Sequence, residues 1–186
     1  MEIRKIEPRD FVKVAQLENE NWTLASTPHV MDSSAEKIIG KIMTGTTYFL
    51  AVENDEILGI LDYGPRHKSE FGRHTVTFGI MTAQEARGKG VATTLINFFI
   101  DFAKKEGFKK ITIQVMGSNP AALKLYNKLG FVEEGRLKKE FFIDGEYIDD
   151  CILAFYTRQK PYVNQIYICC KPMDWRIIWH KILQDE

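Results

Sequence analysis

The sequence predicts an α/β fold with a mixed central sheet flanked by helices, and three observations carry that prediction. Apolar segments of strand length alternate with segments whose apolar residues recur at helical spacing, the order that builds one sheet with helices laid on it. Two pairs of strands are joined by tight turns, Asn54–Asp55 and Asp144–Gly145, whose residue types suit hairpins. Helices stand between other strands, so strand direction in the sheet must be mixed.

The elements follow in order. Glu2 to Ile6 alternates enough for an edge strand; Pro8 and Asp10 open a helix that reaches about Trp22, with Phe11, Val14, Ala15 and Leu17 on its buried side. Thr23 to Asp32 turns polar around Pro28, and Ser33 and Ser34 precede a short helix carrying Ile38, Ile39 and Ile42. Tyr48 to Glu53 and Ile57 to Tyr63 form the first hairpin. A polar run after Pro65 leads into a third strand, His74 to Met81, ending at Thr82. Val91, Leu95, Phe98, Phe99 and Phe102 mark the buried stripe of the next helix, which runs to Glu106 with Gly107 as its C′ residue. Ile111 to Val115 is a strand, Asn119 followed by Pro120 opens a helix that ends at Gly130, and Phe131 to Ile143 with Tyr147 to Tyr156 make the last hairpin. Residues 157–186 fit neither pattern. Tyr167 to Cys170 could extend as a strand, and Trp175, Ile178, Trp179 and Ile182 have helical spacing, which leaves a packed tail or a partner-binding helix as alternatives.

Composition narrows the function. A chain of 186 residues suits one domain that buries about 70% of its unfolded surface. Twenty-five basic and 25 acidic residues cancel, so no global field steers the protein toward nucleic acid or an anionic membrane. The apolar runs are too short to span a bilayer and the N-terminal residues form no signal core, so a cytoplasmic protein is expected. The 3 cysteines, Cys151, Cys169 and Cys170, and the 4 scattered histidines lack disulfide or metal-ligand spacing, and no metal is expected.

The most informative segment is Thr82 to Leu95. It sets a glycine-rich basic turn between a strand and a helix, where Gly88 and Gly90 allow close backbone approach and the first helical amides present the positive end of the helix dipole. A phosphate or pyrophosphate fits there. A nucleoside-triphosphate loop would need GxxxxGK followed by Ser or Thr, whereas Lys89 sits between two glycines and Val91 follows. The dinucleotide pattern is met at Gly88 and Gly90 but ends at Thr93, and no acid stands near Val115 to Ser118 to hold a ribose. Packing fixes this turn more than charge does: burial of the five apolar residues of its helix contributes on the order of 10 kcal/mol as an upper bound, an anion at a helix start about 0.3–2 kcal/mol.

The pattern Arg87, Gly88, Lys89, Gly90, Val91, Ala92 resembles the GNAT acyl-CoA N-acyltransferase superfamily. A second segment, Ser118 to Phe131, looks like that family's other cofactor-contacting stretch, and the hairpin from Glu133 is similar to the terminal hairpin of bacterial members. The resemblance covers roughly residues 2–156 and implies an N-acetyltransferase domain over 1–156, followed by a tail. It further implies acetyl-CoA as co-substrate: diphosphate on the amides from Arg87 through Ala92, pantetheine along a splayed strand at Ile80, Met81 and Thr82, Asn119 on the pantetheine arm, and Tyr126 near the thioester sulfur. A lysine-like amine of pKa about 10.4 is neutral at pH 7 only once in a few thousand molecules, so a proton acceptor is needed. Glu53, Asp62 and Glu134 are the candidates, with a water chain as the alternative. The leaving thiolate benefits from a phenolic donor, the role expected of Tyr126, and transfer is expected to be direct, with Cys151 taking no part. The acceptor is expected to be a small-molecule or peptide amine, because the loops Thr23 to Asp32 and Gly64 to Arg73 carry no diagnostic residue. A homodimer is an expectation of the resemblance, without an interface that the sequence defines. Two other classes stay open: a non-catalytic acyl-CoA sensor or interaction module with Trp175 and Trp179 as its output surface, and a nicotinamide-dependent enzyme.

Overall fold

The computed structural model describes residues 1–157. The tail residues singled out above, with Cys169, Cys170, Trp175 and Trp179 among them, lie outside the described residues.

Seven strands form one sheet in the order β1-β2-β3-β4-β5-β7-β6. They are β1 (Glu2–Lys5), β2 (Thr47–Glu53), β3 (Glu56–Pro65), β4 (Thr75–Thr82), β5 (Lys110–Met116), β6 (Val132–Ile143) and β7 (Glu146–Tyr156). The helices are α1 (Phe11–Asn21), α2 (Ala35–Met43), α3 (Val91–Lys105) and α4 (Pro120–Lys128). Among the described residues only β4 and β5 pair in parallel; the other neighbours are antiparallel, so the sheet is mixed as expected. Both predicted hairpin turns hold, with Asn54, Asp55, Asp144 and Gly145 all at positive φ. Short 3₁₀ turns at Glu70–Gly72 and Gln84–Ala86 are additions that no sequence period announces.

Alternation along the strands divides the core between two faces. On one, Phe49, Tyr63 and Phe78 stack against Phe99 of α3 and its neighbours Phe98 and Phe102, and Phe78 meets Tyr126 of α4 edge-on with ring centroids 6.0 Å apart. The buried stripe of α3 is wider than five residues: Ile96, Ile100 and Ala103 are buried too, while Phe98 and Phe102 stay partly exposed at its edge. The opposite face meets α1 and α2, where Val14, Ala15, Leu17 and Ile38 are buried. Asp62, the register partner of Tyr48, feels the charges of Glu18 on α1 and Lys41 on α2. The edge strand is tied by a bidentate pair: Arg4 donates to both carboxylate oxygens of buried Asp10 at 2.6 and 2.8 Å, and Asp10 also caps the Glu7 amide at 2.8 Å. No helix among the described residues is long and apolar enough to cross a membrane.

One approach fixes α3 against the sheet. A Cβ built on Gly59 of β3 would stand 2.9 Å from a Val91 methyl and 3.0 Å from a Leu95 methyl, so the first turns of α3 rest directly on backbone.

Candidate active site

Strands β4 and β5 pair only at Thr75–Lys110, Val76–Ile111 and Thr77–Thr112. Beyond that point β4 continues to Thr82 and β5 to Met116 without pairing to each other, so the sheet opens into a cleft. Backbone donors and acceptors of β4 on this side are left for another extended chain. The mouth of the cleft is roofed by the end of α1 and the loop after it, where Ser26 bonds to Thr23 through both its amide and its hydroxyl.

Three cavities run along this opening and share walls. The largest, about 400 Å³, is lined by Asn21, Trp22, Ile80, Met81, Thr82, Arg87 and Asn119 among others. A second of about 170 Å³ reaches Ala92, Val115, Asn119, Leu125 and Tyr126. The third, about 280 Å³, is walled by Trp22, Pro28, His29, Gln114, Met116, Phe141 and Asp150. Trp22 and Ser26 line all three, and Gln114 lines the second and third. The result is one continuous passage from Arg87 past Tyr126 to Asp150.

The glycine turn lies at its first end. Gly88 and Gly90 adopt φ of 76° and 83°, and a Cβ at either would meet nothing within 4 Å, so both face open space. The first bond of α3 runs from the Thr94 amide to the Gly90 carbonyl, which leaves the Val91, Ala92 and Thr93 amides without a helical partner. The amides of Arg87 and Lys89 behave differently from the sequence expectation, because they donate at 3.3 and 3.4 Å to Gln84 and Ala86 of the preceding 3₁₀ turn. The amides of Gly88, Gly90, Val91 and Ala92 are therefore left without a partner at this turn among the described residues. Arg87 lines the large cavity, whereas Lys89 is an exposed charge outside the three cavities and Val91 is buried against Gly59.

Tyr126 lies at the middle of the passage. Its ring is held by Phe78 and by Phe131, the latter at 5.4 Å between centroids, and only 3% of the residue is exposed. Its hydroxyl makes no hydrogen bond among the described residues, and Tyr126 is part of the wall of the second cavity. Burial pushes the phenol's pKa well above its usual value. Asn119 is the N-cap of α4, its Oδ1 accepting from the Ala122 amide at 3.1 Å, and it lines two cavities while doing so.

The three candidate bases are elsewhere. Glu53 pairs with the N-terminal ammonium at 2.9 Å, and Glu134 accepts from Lys110 and from the Tyr156 hydroxyl. Asp62, pushed up to about 6 by desolvation, looks toward α1 and α2. None of the three lines the passage. The structure instead brings in residues that the sequence did not single out: Trp22, Ser26, Gln114, Phe141 and Asp150. Arg66 donates to Gln114 Oε1 at 2.8 Å, which turns the Gln114 amide nitrogen toward Asp150 Oδ2 at 2.6 Å. Among the described residues no cluster of three or more His, Cys, Asp or Glu could hold a metal.

The model of the acetyltransferase (GNAT) family matches residues 11–131. The SPbeta prophage-derived uncharacterized N-acetyltransferase YokL of Bacillus subtilis (strain 168) is 30% identical over 169 residues, spanning 87% of this chain and 92% of that protein. The spermidine N(1)-acetyltransferase of Vibrio cholerae serotype O1 is 44% identical over 89 residues, a match that spans 47% of this chain and only half, 50%, of that enzyme. Among solved structures, smu.2055 from Streptococcus mutans UA159 superposes with a TM-score of 0.82 at 36% identity, covering 85% of this chain and 100% of that one. The structure of yncA from Salmonella typhimurium with its cofactor acetyl-CoA gives a TM-score of 0.76 over 86% of this chain and 95% of its own; at 17% identity that likeness concerns the fold.

Proposed function

The chain belongs to the GNAT family of acetyltransferases, and from that premise we propose that residues 1–156 form a catalytic domain that transfers acetyl from acetyl-CoA to a primary amine by direct attack in a ternary complex. The single observation that carries this reading is the passage itself: an anion cradle at one end, an unpaired strand edge along it and a hydroxyl without a partner at its centre.

Each part of the co-substrate has a matching surface. The diphosphate meets the amides of Gly88, Gly90, Val91 and Ala92, with Arg87 adding charge. The pantetheine amides extend the sheet along Ile80, Met81 and Thr82, beside Asn119. The thioester then reaches Tyr126. Acetyl-CoA supplies the activated acyl group; the protein orients it and handles protons. A phenol whose pKa is raised by burial stays protonated at neutral pH. It holds the departing sulfur by a hydrogen bond rather than by giving up its proton, because a thiolate of pKa about 8.5 is the weaker base. The amine must shed a proton as it attacks, and with Glu53, Asp62 and Glu134 away from the passage, water in the open cavities is the route. The match to spermidine, L-amino acid and methionine sulfoximine acetyltransferases supports an amine acceptor.

The test is acetyl-CoA-dependent release of free thiol across a panel of amines. Amine-dependent release with stoichiometric acetylated product is the expected result; a protein that binds CoA yet acetylates no amine in the panel contradicts the reading.

A further inference from the structure

We propose that Asp150 is the specificity-determining residue of the acceptor pocket and that it selects an amine carrying a second cationic group, by holding that distal ammonium in the cavity walled by Trp22, Met116 and Phe141. The proposal rests on the reading of the passage as an acetyl-transfer site and concerns its far end.

Three observations converge. First, position: the hydroxyl expected to face the reacting sulfur is in the second cavity, and Asp150 is in the third, with Gln114 as the wall between them. A group seated on Asp150 lies across Gln114 from the cavity that Tyr126 lines, the place for a part of the acceptor other than its reacting nitrogen. Second, charge: Asp150 is only 4% exposed, and no Lys or Arg among the described residues forms an ion pair with it. A buried carboxylate without a counter-ion is costly, and a ligand cation offsets that cost. Third, orientation: the Arg66–Gln114–Asp150 relay uses Oδ2 and fixes the carboxylate, and Oδ1 takes no hydrogen bond among the described residues. Gln114 donates its amide hydrogen and brings no charge, so the anion keeps its full attraction for a cation.

The other walls suit the same guest. Trp22 and Phe141 are aromatic walls, a residue type that suits an ammonium or the methylenes beside it, and Met116 adds an adaptable apolar surface. The cavity of about 280 Å³ holds a short alkyl chain with its terminal group. An acceptor ending in a carboxylate would meet Asp150 instead, and the nearby cation that could answer it, Arg66, bonds to the far side of Gln114 and does not line the cavity. His29 stands in the wall on the loop after α1, the one other titratable group there among the described residues.

The experiment compares putrescine, n-butylamine and γ-aminobutyrate, which share a four-carbon chain and differ in the group at the far end. With acetyl-CoA saturating, the wild type should show a KM for putrescine at least about tenfold below that of either competitor, the range of a hydrogen bond to a charged group. Asp150→Asn keeps the shape and the Gln114 contact; it should raise the putrescine KM about 10- to 100-fold, leave kcat within about twofold, and leave n-butylamine unchanged. Calorimetry of putrescine binding to the protein–CoA complex reads the same contact without turnover: binding to wild type and its loss in Asp150→Asn is expected. Equal KM values for putrescine and n-butylamine, or a KM rise common to all three amines, overturns the proposal, the latter because a merely structural role moves every acceptor alike. Putrescine binding that survives in Asp150→Asn overturns it as well. Failure of the broader reading looks different: CoA itself does not bind, or no amine is acetylated while putrescine binding still depends on Asp150.

Discussion

Substituting Gly59 with Ala tests whether packing of α3 on the sheet sets the cofactor cradle. The added methyl would lie 2.9 Å from Val91 Cγ1, 3.0 Å from Leu95 Cδ1 and 3.2 Å from the Met81 carbonyl oxygen. Two of these neighbours are short, fully buried side chains on the first turns of α3, and the third is backbone of the strand expected to hold pantetheine. The Leu95 methyl ends a side chain with no free space around it, Val91 Cγ1 sits next to its own backbone and the third is a carbonyl, so the relief comes from a shift of the helix N-terminus away from β3. Overpacking of this kind costs about 1–3 kcal/mol. In a chain of this length that is a fall in Tm of about 3–9 °C. Because the same shift moves the amides of Gly88, Gly90, Val91 and Ala92, CoA affinity should fall about 3- to 30-fold, although Gly59 itself lines none of the three cavities. Differential scanning calorimetry and CoA titration measure the two effects on one preparation. A variant with a lower Tm and unaltered CoA affinity would refute the link between helix packing and cradle; unaltered values of both would refute the close approach itself.

Two further outcomes follow from the buried titratable groups. Tyr126→Phe keeps the ring contacts to Phe78 and Phe131 and deletes a hydroxyl that has no partner among the described residues; stability and CoA affinity should hold while kcat falls about 10- to 100-fold, and an unchanged kcat in the thiol-release assay would remove Tyr126 from the chemistry. Asp62, raised by desolvation from 3.8 to about 6, binds its proton more tightly folded than unfolded, so it favours the folded state fully at low pH and that contribution is lost as pH rises from about 4 to about 6. Asp62→Asn should therefore be more stable than wild type at pH 7 by about 1–3 kcal/mol and equal to it at low pH, as read by denaturant unfolding at several pH values; a variant less stable at pH 7 would contradict the desolvated setting.

The turns and caps were the most legible part of the fold, because each rests on local chemistry. Asn54–Asp55 and Asp144–Gly145 name their hairpins, Ser34 caps α2 by accepting from the Lys37 amide, and Gly107 and Gly130 close helices at positive φ. The residues proposed for the cofactor end could be named from the sequence for the same reason: Gly88 to Ala92, Asn119 and Tyr126 occupy two continuous segments, each at or following a helix start. The three candidate bases failed because strand membership does not say which way a carboxylate faces or what it pairs with. Asp62 turned to the α1–α2 side, and Glu53 and Glu134 were taken by ion pairs. Of the acceptor end, the sequence named the loop Thr23 to Asp32, whose Ser26 to His29 line the third cavity, and none of the strand residues there. Trp22 is the residue that ends α1, and Gln114, Phe141 and Asp150 come from β5, β6 and β7; the pairing of β7 with both β5 and β6, which sets Met116 against Asp150, brings the strand residues together. One signal was present: Asp150 shares its strand face with Ile148, Ile152 and Ala154, a charged residue in an apolar row.

The central claim is that coenzyme A lies along the open edge of β4 with its diphosphate on the start of α3. A crystal structure of the protein soaked with CoA tests it directly. Diphosphate oxygens are expected within hydrogen-bond distance of the Gly88, Gly90, Val91 and Ala92 amides, with the sulfur beside the Tyr126 hydroxyl; a diphosphate bound elsewhere, with those amides still free, would overturn this placement.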